Sequence, residues 1–396
     1  MLRVNRSKPF LLQGYYNNQM NLSDIVVQGK LGYTAAMYYG WMGVSVHHQQ
    51  RLLDTLAANN MMLLVDLSDL MMDIACGGTA GAANCTKDSA ALADAWAAVE
   101  GQISRWKSHP GVLGWYVCDD CYSQYLMRQV HAGTPTLDRY YAKIKALDPA
   151  HPLVGANNAP ISFPFTHATE FAPRPSLDVV MFEDYAETLA ACPAVPDGDL
   201  CAPTMLWPAT FEAQVNSPGP YMVDEDKSLR TEHDRGLVME GMAWISALAR
   251  VPQQLHFRRR YVESSEALEA LGRFSHSVLA LSRFTAPSVV GMYDDTTIVV
   301  STPSVRVGLL VDTSADSLCA LVVAVNLNSS SRTSFEATIG VGRRKVGAGL
   351  TALRYDQANR SVPVSLRPHS AVFSDVLEES TTGLFVVCAN GQLTEV

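Results

Sequence analysis

His109-Pro110-Gly111-Val112-Leu113-Gly114-Trp115-Tyr116-Val117-Cys118-Asp119-Asp120-Cys121 is the stretch that decides how this chain folds. It follows a segment, Asp88 to Lys107, in which Leu92, Ala95, Trp96, Val99, Ile103 and Trp106 fall on one helical face. The apolar run from Val112 to Val117 is too short for a helix and suits a strand buried on both sides. It ends abruptly in two carboxylates flanked by two cysteines. Parallel α/β proteins place their chemistry at the carboxyl ends of strands, which makes Asp119 and Asp120 functional candidates. The plainer alternative is that one of them caps the segment that follows.

Working outward, the same strand-then-helix pattern recurs on both sides. Before the stretch, Phe10–Tyr16, Thr34–Tyr39 and Met61–Leu67 read as strands, with helices over Leu22–Gln28 and Val46–Asn59. After it come a helix over Leu137–Leu147, a strand over Leu153–Ala156 that ends in Asn157-Asn158, and a strand over Leu177–Phe182 that ends in Glu183-Asp184-Tyr185. Pro203–Pro208 reads as the seventh strand, running towards Phe211-Glu212. Gln254–Phe257 reads as the eighth, ending in Arg258-Arg259-Arg260, with helices over Arg235–Arg250 and Glu266–Arg283. Eight such units over roughly 280 residues predict a (β/α)8 TIM barrel rather than an open sheet. Beyond Pro287 short β-rich runs alternate with Ser, Asn, Asp and Gly turns, which predicts a small all-β antiparallel sandwich. The expected domains are therefore a catalytic barrel at 1–287 and a C-terminal sandwich at 288–396.

With 396 residues, 48% of them hydrophobic and 17% charged, the chain can bury a large core. The net charge of −9 argues against a nucleic-acid partner, because a phosphate-binding face needs cations. No apolar run reaches the roughly 20 residues needed to span a bilayer. The eight cysteines fall into pairs: Cys76 with Cys85, Cys118 with Cys121, Cys192 with Cys201, and Cys319 with Cys388. The first and third pairs bracket loops rich in small residues, as disulfide staples do, and their spacing matches no zinc-ligand pattern. Sequons stand at Asn5, Asn21, Asn84, Asn328 and Asn359. Together these features predict a secreted or extracellular glycoprotein whose signal peptide is absent from this numbering; oligomeric state is left open.

The helix leading into His-Pro, then Leu-Gly-Trp-Tyr, then two acids, resembles the fourth strand of (β/α)8 glycoside hydrolases that carry a His-Pro-Ala-Leu-(Leu/Ile)-Gly-Trp-Tyr-x-x-Asp-Glu-Pro pattern. Those proteins commonly have a C-terminal β-sandwich with a strand ending in Val-Asn-Leu, echoed here by Val325-Asn326-Leu327. The resemblance implies cleavage of O-glycosidic bonds in an oligo- or polysaccharide, without metal or organic cofactor. It aligns Asp120 with the Glu that serves such enzymes as general acid/base, and Cys121 with the Pro. The acid is thus one methylene shorter here, and a displacement of about 1 Å can cost ~100-fold in rate. Cys118 and Cys121 around the acids suit a short local disulfide; a redox pair is the competing account, though such pairs normally open a helix.

Glycoside hydrolysis needs a second carboxylate, to attack the anomeric carbon or to activate water. In retaining barrels it comes from the seventh strand, which makes Glu212 the first candidate, with Glu183 and its neighbour Asp184 as rivals. A solvated loop Glu is the bland reading of Glu212. Aromatic residues recur at strand ends, among them Tyr16, Tyr38, Trp115, Tyr185 and Trp207, and half of them are expected in the core. Aromatic planes pack on sugar C–H faces while acids and amides bond the hydroxyls, so these residues with Asp66, Asp119 and Asn157 form the expected substrate cleft. Asp66 is also explained by pairing with an Arg of the eighth strand. Arg258 either neutralises the acids of the barrel mouth or binds an acidic sugar. The expected function is a glycosidase, with retention as the expected outcome. The alternative is a non-catalytic carbohydrate-binding or cell-surface protein on the same scaffold.

Overall fold

The structure, a computed structural model, describes residues 12–17, 21–75, 89–118, 139–158, 178–185, 213–217, 240–241, 244, 253–258, 272–274, 276–277, 281, 290–292, 298–302, 304–311, 319–326, 331–340, 351–354, 361–362, 364–367, 370–378 and 381–388. Eight strands come first: β1 (Leu12–Asn17), β2 (Ala35–Tyr38), β3 (Met62–Asp66), β4 (Val112–Cys118), β5 (Leu153–Asn158), β6 (Val179–Tyr185), β7 (Ala213–Ser217) and β8 (Gln253–Arg258). They pair in parallel in chain order, and β8 pairs with β1 from Gln253 opposite Leu12 to Arg258 opposite Asn17, closing the sheet into a barrel. Helices α1 (Leu22–Lys30), α2 (Val46–Ala58), α3 (Ser68–Ala75) and α4 (Ser89–Trp106) intervene, and the residues described at 139–147 are helical.

Local chemistry sets the helix ends. Ser45, in extended backbone, accepts a hydrogen bond from His48 N at 3.3 Å and starts α2. Past the end of α2, Asn60 takes the left-handed conformation at φ 57°, which Asn tolerates, and turns the chain towards β3. Leu52, Leu53 and Leu56 of α2 are fully buried. They pack in one cluster with Val99, Ile103 and Trp106 of α4 and with Ala36, Tyr38, Leu63, Val65, Trp115 and Val117 of the strands. The alternating strand residues Met37, Leu64, Asp66 and Tyr116 are buried outside that cluster and face the barrel interior. Both faces of β2, β3 and β4 are buried, which is why β4 reads as one unbroken apolar run.

The seventh strand differs from expectation. It is Ala213–Ser217, while 203–208 lies outside the described residues. Its place is fixed by backbone ladders to β6 and β8 rather than by an apolar run.

The opening stretch forms a tight corner between α4 and β4. His109 Nδ1 accepts from Gly111 N at 3.0 Å, and its Nε2 lies 3.1 Å from Asp54 Oδ1 on α2. A Cβ on Gly111 would stand 2.6 Å from the Leu53 carbonyl oxygen, and one on Gly114 2.8 Å from the Pro152 carbonyl oxygen. Both positions need glycine because another backbone passes against them.

The remaining strands are β9 (Val290–Met292), β10 (Ile298–Val300), β11 (Val305–Val311), β12 (Cys319–Asn326), β13 (Thr333–Gly340), β14 (Thr351–Arg354), β15 (Ser361–Val362), β16 (Val364–Arg367), β17 (Ser370–Leu377) and β18 (Thr382–Cys388). They form a four-stranded sheet, β10-β13-β17-β16, and a six-stranded sheet, β15-β14-β18-β12-β11-β9, with every pairing antiparallel. Val322, Ala324 and Phe385 of the larger sheet share a core with Phe335, Ala337 and Leu377 of the smaller one. Arg354 and Asp375 join the two sheets at 2.9 Å. The residues alternating with that core on the larger sheet, Leu321, Val323, Val325, Leu384 and Val386, are buried too. At Val325 and Thr382 this second face meets the helical residue Gly241, whose Cβ position lies 3.0 Å from Val325 Cγ1. Asn326, the Asn of the Val-Asn-Leu echo, is buried and donates to the Ser331 and Glu378 carbonyls, bracing two turns.

Candidate active site at the carboxyl rim of the barrel

A closed parallel barrel brings all eight strand carboxyl ends to one rim. Here those ends are Asn17, Tyr38, Asp66, Cys118, Asn158, Tyr185, Ser217 and Arg258, polar at nearly every position. On β6, Glu183 pairs in register with Asn158 of β5 and with Val215 of β7, and Asp184 pairs with Asn216. Arg258 lies opposite Asn17. The rim therefore carries acids, amides and a guanidinium on neighbouring strands, a combination suited to a polyhydroxylated ligand.

Asp66 is the rim acid whose surroundings are visible. It is 3% exposed, and its Oδ1 accepts from Ser68 N at 2.9 Å and from Ser68 Oγ at 2.6 Å. The carboxylate thus ties the end of β3 to the start of α3 through Ser68, a partner the sequence reading did not consider beside an Arg of the eighth strand. Asp66 is in register with Tyr116. The Tyr116 ring meets Tyr39, just past the end of β2, edge-on at 6.4 Å and 73°. Tyr116 is fully buried and forms part of the floor, while Tyr39 is half-buried. Both tyrosines belong to the aromatic residues that recur at strand ends in the sequence, and the period-2 alternation puts Tyr116 on the face opposite Trp115.

Two residues expected to touch substrate have structural surroundings instead. Trp115 is fully buried in the helix-side cluster; its indole donates to Asp148 Oδ2 at 2.9 Å and its ring meets His151 edge-on. Tyr38 lies in the same cluster with its ring over Gly40, and burial raises its hydroxyl pKa. Of the other candidates, Tyr16, Asn157, Glu183, Tyr185 and Arg258 are placed on β1, β5, β6, β6 and β8. Asp119, Asp120, Trp207 and Glu212 lie outside the described residues, as do Cys76, Cys85, Cys121, Cys192 and Cys201. In the chain Glu212 comes immediately before β7 rather than after it. Cys118, the last residue of β4, is disulfide-bonded, and Cys319 and Cys388 are register partners across β12 and β18. Among the described residues no group of three or more His, Cys, Asp or Glu is arranged to hold a metal ion, and no helix is long and apolar enough to cross a membrane.

No protein-family model matches the chain, and no curated protein does. Solved structures do resemble it. CelM2, a bifunctional glucanase-xylanase protein from a metagenome library, aligns with a TM-score of 0.54 and 13% identity over 97% of this chain and 96% of its own. The α-L-fucosidase isoenzyme 2 from Paenibacillus thiaminolyticus aligns with 0.54 and 7% identity over 96% and 100%. The likeness is one of fold. The GH51 arabinofuranosidase from Xanthomonas axonopodis pv. citri gives 0.50 and 12% over 97% and 92%. These proteins are glycoside hydrolases with TIM-barrel folds, and the matches run nearly end to end, so this chain shares their fold.

Proposed function

We propose that the protein is a secreted glycoside hydrolase that cleaves O-glycosidic bonds of an oligo- or polysaccharide, built as a (β/α)8 barrel over 1–287 with a β-sandwich over 288–396. The observation that carries this reading is the acid-rich rim: two carboxylates follow β4 in the chain, and Glu183 and Asp184 stand near the end of β6 in a barrel closed at β1 and β8. Asp120 serves as proton donor to the leaving oxygen, supported by Asp119. The partner carboxylate is Glu183 or Glu212. The position of Glu183 within the last residues of β6 supports it over Glu212, which precedes its strand. With the two carboxyl groups about 5–5.5 Å apart the partner attacks the anomeric carbon and configuration is retained.

Asp66, Asn157, Tyr16, Tyr185 and Arg258 complete the cleft, and Tyr39 joins them as the half-buried aromatic at its edge. The chemistry needs no cofactor. The cysteines pair as 76–85, 118–121, 192–201 and 319–388, consistent with the absence of a free cysteine among the described residues.

The substitutions Asp120→Asn, Glu183→Gln and Glu212→Gln, assayed on aryl glycosides and polysaccharides, test the assignment. Loss of the proton donor lowers turnover by about 100- to 10,000-fold, and loss of the attacking carboxylate is expected to cost at least about as much, in only one of the two Glu variants. Full turnover in all three would remove these residues from the chemistry. A second reading, a non-catalytic carbohydrate-binding protein, is favoured by Asp120-Cys121 standing where the resemblance expects Glu-Pro. Glycan binding by the wild type without hydrolysis of any substrate would decide for it.

A further inference from the structure

We propose that Asn21 is an acceptor for N-linked oligosaccharide and carries it on the catalytic side of the barrel. Asn21-Leu22-Ser23 is a sequon, and of the five in the chain it is the one whose asparagine lies within the described residues. Asn21 is exposed, in extended backbone at φ −113° and ψ 164°, as the N-cap of α1. Its Oδ1 accepts from Asp24 N at 2.9 Å and from Ser23 Oγ at 2.5 Å, so the Ser of the sequon is hydrogen-bonded to the amide of its Asn.

This arrangement separates the two ends of the amide. The cap uses the carbonyl oxygen, and modification occurs at nitrogen. In the transfer, Nδ2 forms a bond to the anomeric carbon of a lipid-linked oligosaccharyl pyrophosphate. The carbon–oxygen bond to the pyrophosphate breaks, the lipid pyrophosphate leaves with the bonding pair, and Nδ2 gives up one proton. The product keeps its carbonyl and one N–H. The carbonyl can still accept from Asp24 N and cap α1. Glycosylation and the folded helix start are therefore compatible without rearrangement.

Chain connectivity places the glycan. Asn21 follows the carboxyl end of β1 at Asn17 by four residues and opens the helix that returns along the barrel, so it stands on the same side as Asp66 and Glu183. The inference shares with the proposed function only the secretory destination and is independent of glycosidase activity.

The test is expression of the full chain behind a cleavable secretory leader in eukaryotic cells, which supplies entry to the lumen whatever the natural route. Secreted and cell-associated chains are treated with a glycan-releasing amidase in oxygen-18 water and mapped by mass spectrometry. The expected result is an oxygen-18 aspartate at position 21 in most of the wild type and in Ser23→Thr, and none in Ser23→Ala. Ser23→Ala keeps the Asp24 N to Asn21 Oδ1 cap and is expected to be secreted with an unchanged melting temperature, so its loss of label reads the sequon rather than the fold. An unlabelled position 21 in both fractions of the wild type overturns the proposal, as does label that persists in Ser23→Ala.

Discussion

The indole N–H of Trp115 donates to Oδ2 of Asp148 across 2.9 Å, so the strand that leads to the candidate acid is pinned to the turn that begins the next strand. The same carboxylate accepts from His151 Nδ1 at 2.7 Å and from the backbone N–H of Ala150 at 3.1 Å. Asp148→Ala leaves the buried indole without an acceptor and is expected to cost about 2–3 kcal/mol. Trp115→Phe removes the donor, leaves Asp148 its bonds from His151 and Ala150, and shrinks a fully buried ring, and is expected to cost a similar amount. Chemical denaturation measures both. Trp115→Phe is expected to leave KM for any substrate unchanged, because the ring faces the helices; a large rise in KM would return Trp115 to the cleft.

The same site has a pH signature. Burial raises the Asp148 pKa, but the hydrogen bonds from Trp115 and His151 outweigh it, and the folded value lies below the ordinary 3.8. A carboxyl that titrates lower in the folded than in the unfolded chain contributes stability that is complete above about pH 4 and is lost as pH falls through the folded value. Asp148→Asn should therefore destabilise the protein at pH 7 and flatten the acid limb of its stability profile. An acid limb identical to that of the wild type would contradict this.

Glu240 behaves oppositely. Burial pushes its pKa up to about 7 from 4.5, against the lowering effect of Arg273, whose guanidinium is 3.4 Å away. Stability from a carboxyl raised in this way is present below its unfolded pKa and falls as pH climbs from about 4.5 to about 7. Glu240→Gln is expected to remove that fall, raising the melting temperature at pH 8 relative to the wild type and changing it little at pH 4. An equal change at both pH values would mean that the carboxyl is not the group titrating.

The six-stranded sheet is apolar on both faces, and the face away from the smaller sheet includes Val323 and Val325. Val323→Asp buries an unpaired charge and is expected to cost more than about 3 kcal/mol, while Ser334→Asp on the smaller sheet, where the side chain is exposed, should be near neutral. Truncation after residue 287 is expected to give an insoluble barrel, because it uncovers the surface around Gly241. A soluble, cooperatively unfolding 1–287 fragment would show that the two parts are separable.

Much of this was legible in the sequence, and the exceptions share a cause. The apolar run 112–117 and the helix before it declared themselves because burial on both faces leaves no polar residue to blur the pattern. For the same reason the run could not say that Trp115 faces helices while Tyr116 faces the barrel interior. The strand Ala213–Ser217 was missed because its composition is mostly polar and its identity lies in the ladders to its neighbours. Asp66 was recognised as a buried acid, but its hydrogen-bonding partner two residues on, Ser68, follows from the turn into α3 rather than from any sequence period.

The most direct test of the central claim, that a carboxyl at the end of β4 protonates a glycosidic oxygen, compares leaving groups in Asp120→Asn. A sugar or alkyl leaving group needs a proton, whereas a strongly acidic phenol departs without one. The account predicts that kcat/KM falls about 100- to 10,000-fold for the former and changes little for an aryl glycoside with a dinitrophenol leaving group. An equal loss on both substrates, or no loss on either, would contradict it.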